Sequence, residues 1–243
     1  MMKCIVTAFL IIFINQIFAA DIGSNSTVNI EHQIRICDSE ANILNAIKKY
    51  QPTKKNMEVY YLETSDFQLS KNYFSIRLRL KESKIEVTVK KRMNSNVDIT
   101  DVKNNSVCEY DLHGGIRELS CKIDYDTTIQ NFNDFKLGKI RFQKLLNQSQ
   151  LDFIKDIELP EEINLLGTLK SSRYAFNNLT LDIVSVIGHE DITYHEISKR
   201  YPKDEENSSG VAFENYVKSL NLHLCKNQLD WNVSKFQILE IKN

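Results

Sequence analysis

Two short runs in the middle of the chain carry the residues best suited to chemistry. In Ser75–Lys90, SIRLRLKESKIEVTVK, Arg77, Arg79 and Lys81 alternate with Ile76, Leu78 and Leu80, and Glu86, Thr88 and Lys90 alternate with Ile85, Val87 and Val89. Period two is the signature of a half-buried strand, so the stretch predicts an antiparallel hairpin turning at Glu82-Ser83-Lys84. Cations gathered on one sheet face repel one another unless water or an anion covers them. This face is either solvated or a surface for a polyanion built on rigid strands. Acids are patterned in the same way elsewhere. Glu31, Gln33 and Arg35 alternate with His32, Ile34 and Ile36; Glu109 and Asp111 share a face of Val107–Leu112; Tyr194, Glu196 and Ser198 share a face of Ile192–Lys199.

The elements that must position these residues are mostly strands. Val59–Leu62 reads as a strand ending in the turn Thr64-Ser65-Asp66, and Leu165–Phe176 and Leu179–Ile187 as two strands around Asn177-Asn178. Val107–Leu112 and Arg117–Tyr125 flank Gly114-Gly115, a dipeptide suited to a two-residue hairpin turn. Helices are predicted from Asp38-Ser39-Glu40 to about Tyr50, over Phe142–Ile154 with a break or cap near Asn147–Ser149, and over Ala212–Leu224. Asn94–Asn105 and Lys203–Gly210 read as polar loops, and Trp231–Ile241 as a closing segment. Several strands pair an apolar face with a charged one, and charge that cannot stand in a dry core can line a wet one. The pattern predicts an α+β fold: an antiparallel, closed or nearly closed β-barrel with a polar lumen and helices packed outside.

Composition narrows the context. The 243 residues carry a net charge of −1, which gives no general pull toward nucleic acid and makes any basic site local. Seven Gly and three Pro leave no low-complexity linker. Lys3, the apolar run Cys4–Ile14 and Ala19-Ala20 read as a signal peptide over residues 1–20, with a single domain over 21–243. The run is short for a membrane span, so none is expected after cleavage, and the destination is secreted or periplasmic. Cys4 leaves with the leader, and Cys37, Cys108, Cys121 and Cys225 remain as an even set without a Cys-x-x-Cys pair. Cys108 and Cys121 are symmetric about Gly114-Gly115, which places them opposite each other in the hairpin and predicts a cross-strand disulfide. Cys37–Cys225 is the remaining pairing, with buried free thiols the alternative. No nucleophile triad, Walker-type loop or dinucleotide fingerprint is present.

In order along the chain, these motifs resemble the CYTH, or triphosphate-tunnel, superfamily. Its opening Glu-x-Glu-x-Lys strand is matched by Glu31-His32-Gln33-Ile34-Arg35, and its aromatic strand and turn by Tyr60-Tyr61-Leu62-Glu63-Thr64. Ile76-Arg77-Leu78-Arg79, Val87-Thr88-Val89-Lys90 and Glu109-Tyr110-Asp111 match its two basic strands and an acidic one. Leu169–Tyr174, Thr180-Leu181-Asp182 and Tyr194-His195-Glu196-Ile197-Ser198 match the later basic and acidic strands. The chain is most similar to secreted bacterial members. The series spans about Asn29 to Tyr201 and is specific only as a series.

The resemblance implies a phosphate-rich small molecule or polyphosphate as partner, held by Arg77, Arg79, Lys90 and Arg173, then Arg35, with Lys170 behind them. It implies Mg²⁺ or Mn²⁺ on Glu31 and Glu196, with Asp182, Glu109 and Asp111 next, and makes Glu31, Glu196 and Lys90 the catalytic set. Three positions depart from the family pattern. Gln33 replaces the second glutamate, Arg35 the lysine, and Ser198 a late acidic residue. A carbonyl oxygen can coordinate a hard cation but brings no charge, so metal affinity should fall. The readings are therefore an exported metal-dependent triphosphatase, a degenerate relative that binds a polyanion without turnover, or a disulfide-stapled protein using only the fold. His32 and His195 fall on the apolar-side faces and are expected to pack or lie exposed rather than catalyse.

Overall fold

The computed structural model describes residues 28–81, 84–93, 106–155 and 162–225. The expected leader, the loop at Asn94–Asn105 and the segment Trp231–Ile241 lie outside the described residues. The first strands are β1 (Asn29–Ile36), β2 (Thr53–Glu63), β3 (Phe74–Lys81) and β4 (Lys84–Met93). They are followed by β5 (Val107–His113), β6 (Ile116–Thr128), β7 (Asn164–Phe176), β8 (Leu179–Val186) and β9 (His189–Pro202). These nine close into a barrel in the order β1-β5-β6-β4-β3-β2-β7-β8-β9.

All neighbouring pairs are antiparallel except β1 and β5, which run parallel. The expected antiparallel barrel is therefore mixed at one seam, and the reason is parity. Strands that alternate up and down cannot close a ring of nine without one like-directed pair. Tight hairpins dictate direction at β3–β4, β5–β6, β7–β8 and β8–β9. The mismatch falls instead between two strands that are distant in sequence and joined by no turn.

The hydrophobic core lies outside the barrel wall. Ile76, Leu78, Ile85, Val87 and Val89 turn outward, fully buried, and cluster with residues from α2 (Gln68–Lys71), α3 (Ile129–Lys136) and α4 (Gln148–Phe153). Across the barrel, α1 (Glu40–Ile47) and α5 (Glu206–Ser219) lay Ile43, Ile47, Phe213 and Val217 on Ile36, Leu181, Ile183 and Ile197. Each such side chain contributes about 1.5–3 kcal/mol on burial, so this outer cladding drives folding. No described helix is long and apolar enough to cross a membrane.

Local sequence explains where the helices start. Ser39 and Thr128 accept hydrogen bonds from the backbone N–H groups of Asn42 and Asn131 and so cap α1 and α3. The stretch Phe142–Ile154, expected as a helix with a break or cap near Asn147–Ser149, is a 3₁₀ turn, Phe142–Leu145, followed by α4 behind a capping box of Asn147 and Gln150. Gln150 is fully buried, and its Nε2 donates to the carbonyls of Val87 (2.9 Å) and Ile123 (3.0 Å), which fastens α4 to two adjacent strands.

The Lys203–Gly210 segment is a correction. Expected as a loop, it is a short 3₁₀ turn running into α5, which starts at Glu206 rather than Ala212. The cause is a contact between residues 177 apart in sequence. Ser209 Oγ lies 2.9 Å from Nε2 of His32, and a Cβ at Gly210 would come within 3.0 Å of the same ring. A larger residue there would crowd the imidazole against which the helix approaches β1. His32 therefore packs under α5, edge-on to Tyr201, and plays no part in the lumen.

Both expected disulfides form. Cys108 and Cys121 are direct cross-strand partners 4.0 Å apart at Cα, and Gly114 and Gly115 both adopt the positive φ that the two-residue turn requires. Cys37–Cys225 ties the end of β1 to residues that follow α5, where the Cys37 amide donates to the carbonyl of His223 and the Cys225 amide to that of Arg35.

Two stability outcomes follow from these contacts. Gln150→Leu strands two strand carbonyls and should lower unfolding stability by about 2 kcal/mol, measured by urea titration with an unchanged slope. Burial, with a 2.5 Å hydrogen bond to Glu58, pushes the Tyr60 hydroxyl up to about 12. The unfolded chain then loses this proton first as pH rises, so stability should fall between about pH 10 and 12. Tyr60→Phe should make that alkaline decline shallower, and an equally steep one would refute the assignment.

Candidate functional site

The inward residues of all nine strands meet in one chamber of about 190 Å³. Each strand contributes by alternation: Glu31 and Gln33 from β1, Arg77 and Arg79 from β3, Lys90 and Arg92 from β4, Glu109 and Asp111 from β5. Tyr61 of β2, Lys122 of β6, Arg173 of β7, Asp182 of β8, and Glu196, Ser198 and Arg200 of β9 join them, with Ser75 and His113 also in the lining. Seven of the lining residues are Lys or Arg and five are Asp or Glu. The lumen is not polar throughout. Val59, Tyr61, Leu169, Val184, Val186 and Tyr194 form an apolar cluster on β2, β7, β8 and β9 that shares this interior.

Charges are paired within the lining. Arg173 forms a two-pronged pair with Asp182, Nε to Oδ1 at 2.8 Å and Nη2 to Oδ2 at 2.7 Å. That hydrogen-bonded carboxylate raises the Arg173 pKa. Lys90 Nζ lies 2.7 Å from Asp111 Oδ2, which also accepts a 2.9 Å hydrogen bond from Ser120 Oγ. Burial alone would push the Asp111 carboxyl up, but Lys90 and Ser120 hold it below its ordinary value. Arg79 pairs with Glu86 at 2.7 Å, yet burial and the neighbouring Arg77 together lower its pKa. Arg77 keeps a buried Nε without a hydrogen-bond partner. Two adjacent guanidinium groups under that strain favour an anion with several oxygens.

The acids gather on one side. Ligand oxygens of Glu31, Glu109 and Asp111 lie within 4.8 Å of one another. Oδ1 of Asp111 is buried without a hydrogen-bond partner. Burial pushes the Glu31 carboxyl up, Arg200 opposes this, and Glu109 and Asp111 add to it. Three crowded hard-oxygen donors, one with an orphaned lone pair, fit a divalent cation such as Mg²⁺ or Mn²⁺. Glu196 is also buried in the lining but belongs to the Asp182–Arg173 side, its Cα in register with Asp182.

The expected cations Arg77, Arg79, Lys90 and Arg173 and the expected acids Glu31, Glu109, Asp111, Asp182 and Glu196 are thus brought together around one chamber. Arg35 is not among the residues that line it, although it shares the inward phase of Glu31 and Gln33. Lys170 is one residue out of phase with Arg173 and is exposed. Arg92, Lys122 and Arg200 were not legible as site residues. The available signal was the alternation itself, carried one step beyond Lys90 to Arg92 and one step beyond Ser198 to Arg200. Both strands run on because pairing with their neighbours extends them, β4 to Met93 against β6 and β9 to Pro202 against β1.

No family model matches the chain, and no curated protein matches it. Solved structures do. A candidate adenylate cyclase from Bacillus halodurans aligns with a TM-score of 0.58 at 20% identity, covering 83% of this chain and 94% of that one. A candidate adenylyl cyclase from Hippeastrum, described as having a dominant triphosphatase activity, aligns with a TM-score of 0.59 at 14% identity over 87% and 96% of the two chains. A protein from Pyrococcus horikoshii aligns at 0.50 with 13% identity, covering 88% and 99%. These likenesses show a shared fold, here a closed nine-stranded barrel lined by cations and acids with helices outside it, which is the architecture expected from the resemblance to the CYTH, or triphosphate-tunnel, superfamily.

Proposed function

We propose that the protein is an exported, metal-dependent phosphohydrolase that takes tripolyphosphate or a related polyphosphate into the barrel. The observation that carries this reading is the juxtaposition of Arg77, Arg79, Lys90 and Arg173 with the Glu31–Glu109–Asp111 cluster in one enclosed chamber. Guanidinium and ammonium groups held on rigid strands match phosphate oxygens, and their attraction strengthens where water is partly excluded. The triphosphatase described for the Hippeastrum protein supports the same substrate class.

In this reading Arg77 and Arg79 grip one phosphoryl group from β3, and Arg173 grips another from β7. Lys90 is shared between substrate and Asp111 and stabilises charge that builds on the transferred group. Glu31, Glu109 and Asp111 would hold the divalent cation, which would supply Lewis-acid neutralisation of phosphate charge. Asp182 holds the Arg173 guanidinium in orientation. A leader over residues 1–20 and a single domain over 21–243 fit two disulfides, which suit an oxidising compartment, secreted or periplasmic.

Gln33 and Ser198, both in the chamber lining, favour a second reading in which the chamber binds a phosphate-rich anion without turnover. Phosphate release from tripolyphosphate, with Mg²⁺ or Mn²⁺ titrated, separates the two. Hydrolysis should depend on metal and fall about a hundredfold or more in Lys90→Ala. Absence of hydrolysis, with tripolyphosphate still raising the melting temperature of the wild type but not of Arg77→Ala, would establish binding alone. A melting temperature insensitive to tripolyphosphate would overturn both readings.

A further inference from the structure

The acid cluster is covered by a cation that belongs to the chain itself. Arg200 of β9 lies directly opposite Glu31 in the β1–β9 register. Its Nη2 is 3.1 Å from Glu31 Oε1, and its Nε is 3.0 Å from Glu109 Oε2. One guanidinium thus spans two of the three clustered carboxylates. Exposure differs sharply across this bridge: the Arg200 side chain is 55% exposed, against 14% for Glu31 and 11% for Glu109. The third member, Asp111, is 5% exposed, and its Oδ1 has no hydrogen-bond partner. Buried acids therefore lie behind a solvent-facing arginine that holds them by their oxygens.

A divalent cation entering the cluster would draw on two of the carboxylates, Glu31 and Glu109, that Arg200 already pairs with. Two cations cannot share them at these distances without strong repulsion. Lys90 is 15% exposed and paired with Asp111, and Arg173 is held by both oxygens of Asp182, whereas the Arg200 side chain is the most exposed of the three at 55%.

We propose that Arg200 is a displaceable counter-ion that gates the metal cluster: it pairs with Glu31 and Glu109 until a divalent cation replaces it, and the released guanidinium then turns to an oxyanion in the chamber. Metal and anion binding become mutually reinforcing, because each removes Arg200 from competition with the other. This rests on the metal role given above to Glu31, Glu109 and Asp111, and is independent of whether the protein turns substrate over.

The test uses Mn²⁺ alone, with free Mn²⁺ followed by electron paramagnetic resonance at pH 8 on the disulfide-bonded protein. Arg200→Gln should bind Mn²⁺ about tenfold more tightly than the wild type, and Arg200→Lys, which keeps the charge but cannot span both acids, should fall between them. Inorganic sulfate should tighten Mn²⁺ binding by the wild type and have no such effect on Arg200→Gln. Binding by Arg200→Gln that equals or is weaker than that of the wild type, or no Mn²⁺ binding by any of the three proteins, overturns the proposal. Absence of tripolyphosphate hydrolysis by the wild type, with tighter Mn²⁺ binding by Arg200→Gln, would instead count against the hydrolase reading alone.

Discussion

The structure depends on keeping ionised side chains inside a closed barrel without leaving any charge uncompensated at low dielectric. An isolated buried guanidinium or carboxylate costs several kcal/mol, so each must find an opposite charge or water within a few ångströms. Arg173 with Asp182, Lys90 with Asp111, Arg79 with Glu86 and Arg200 with Glu31 and Glu109 meet that demand across strand neighbours. The balance leaves an excess of cations in the lining. It also crowds three carboxylates together, and this unequal distribution gives the chamber its chemistry.

This arrangement is affordable because the strands are inverted relative to a common sandwich: their apolar faces point out. Burial under five helices supplies the driving force, so the lumen is free of the packing duty a core normally has. The inversion is incomplete. Tyr61, Tyr194 and their aliphatic neighbours fill one part of the interior, which narrows the polar space and raises the Tyr194 hydroxyl through burial.

Closure imposes its own terms. With nine strands the ring requires a parallel seam, and the chain places it at β1–β5, the two strands that carry Glu31, Glu109 and Asp111. Parallel pairing sets Glu31 beside Asp111 in register and brings acids from distant parts of the chain within reach of one another. The Cys37–Cys225 bridge and the backbone pairing around it fasten the far end of β1, and the Cys108–Cys121 bridge fastens β5 to β6. Both strands of the seam are thereby tied down.

Alternation along the strands was enough to separate lumen from cladding. The inward set Arg77, Arg79, Lys90, Arg173, Glu109, Asp111 and Glu196 could be read from period two, because a pleated strand sends successive side chains to opposite faces wherever it pairs. The hairpin disulfide was legible for a similar reason, since a Gly-Gly turn sets the register around it. Strand ends were not legible: β4 and β9 continue past the residues where local pattern weakens, because pairing with neighbours, not propensity, extends them. Nor could α5 be seen to start at Glu206, since its first turn is held by a contact between Ser209 and His32 that spans most of the chain. The sequence by itself determined the inward phase of the strands it recognised and the charges carried on that phase, though not that Arg35, in phase, would miss the chamber lining. Only the tertiary structure decided which of them are partners, because closing the ring across the parallel seam is what sets Arg200 over Glu31 and Glu109, and no local pattern encodes that distance.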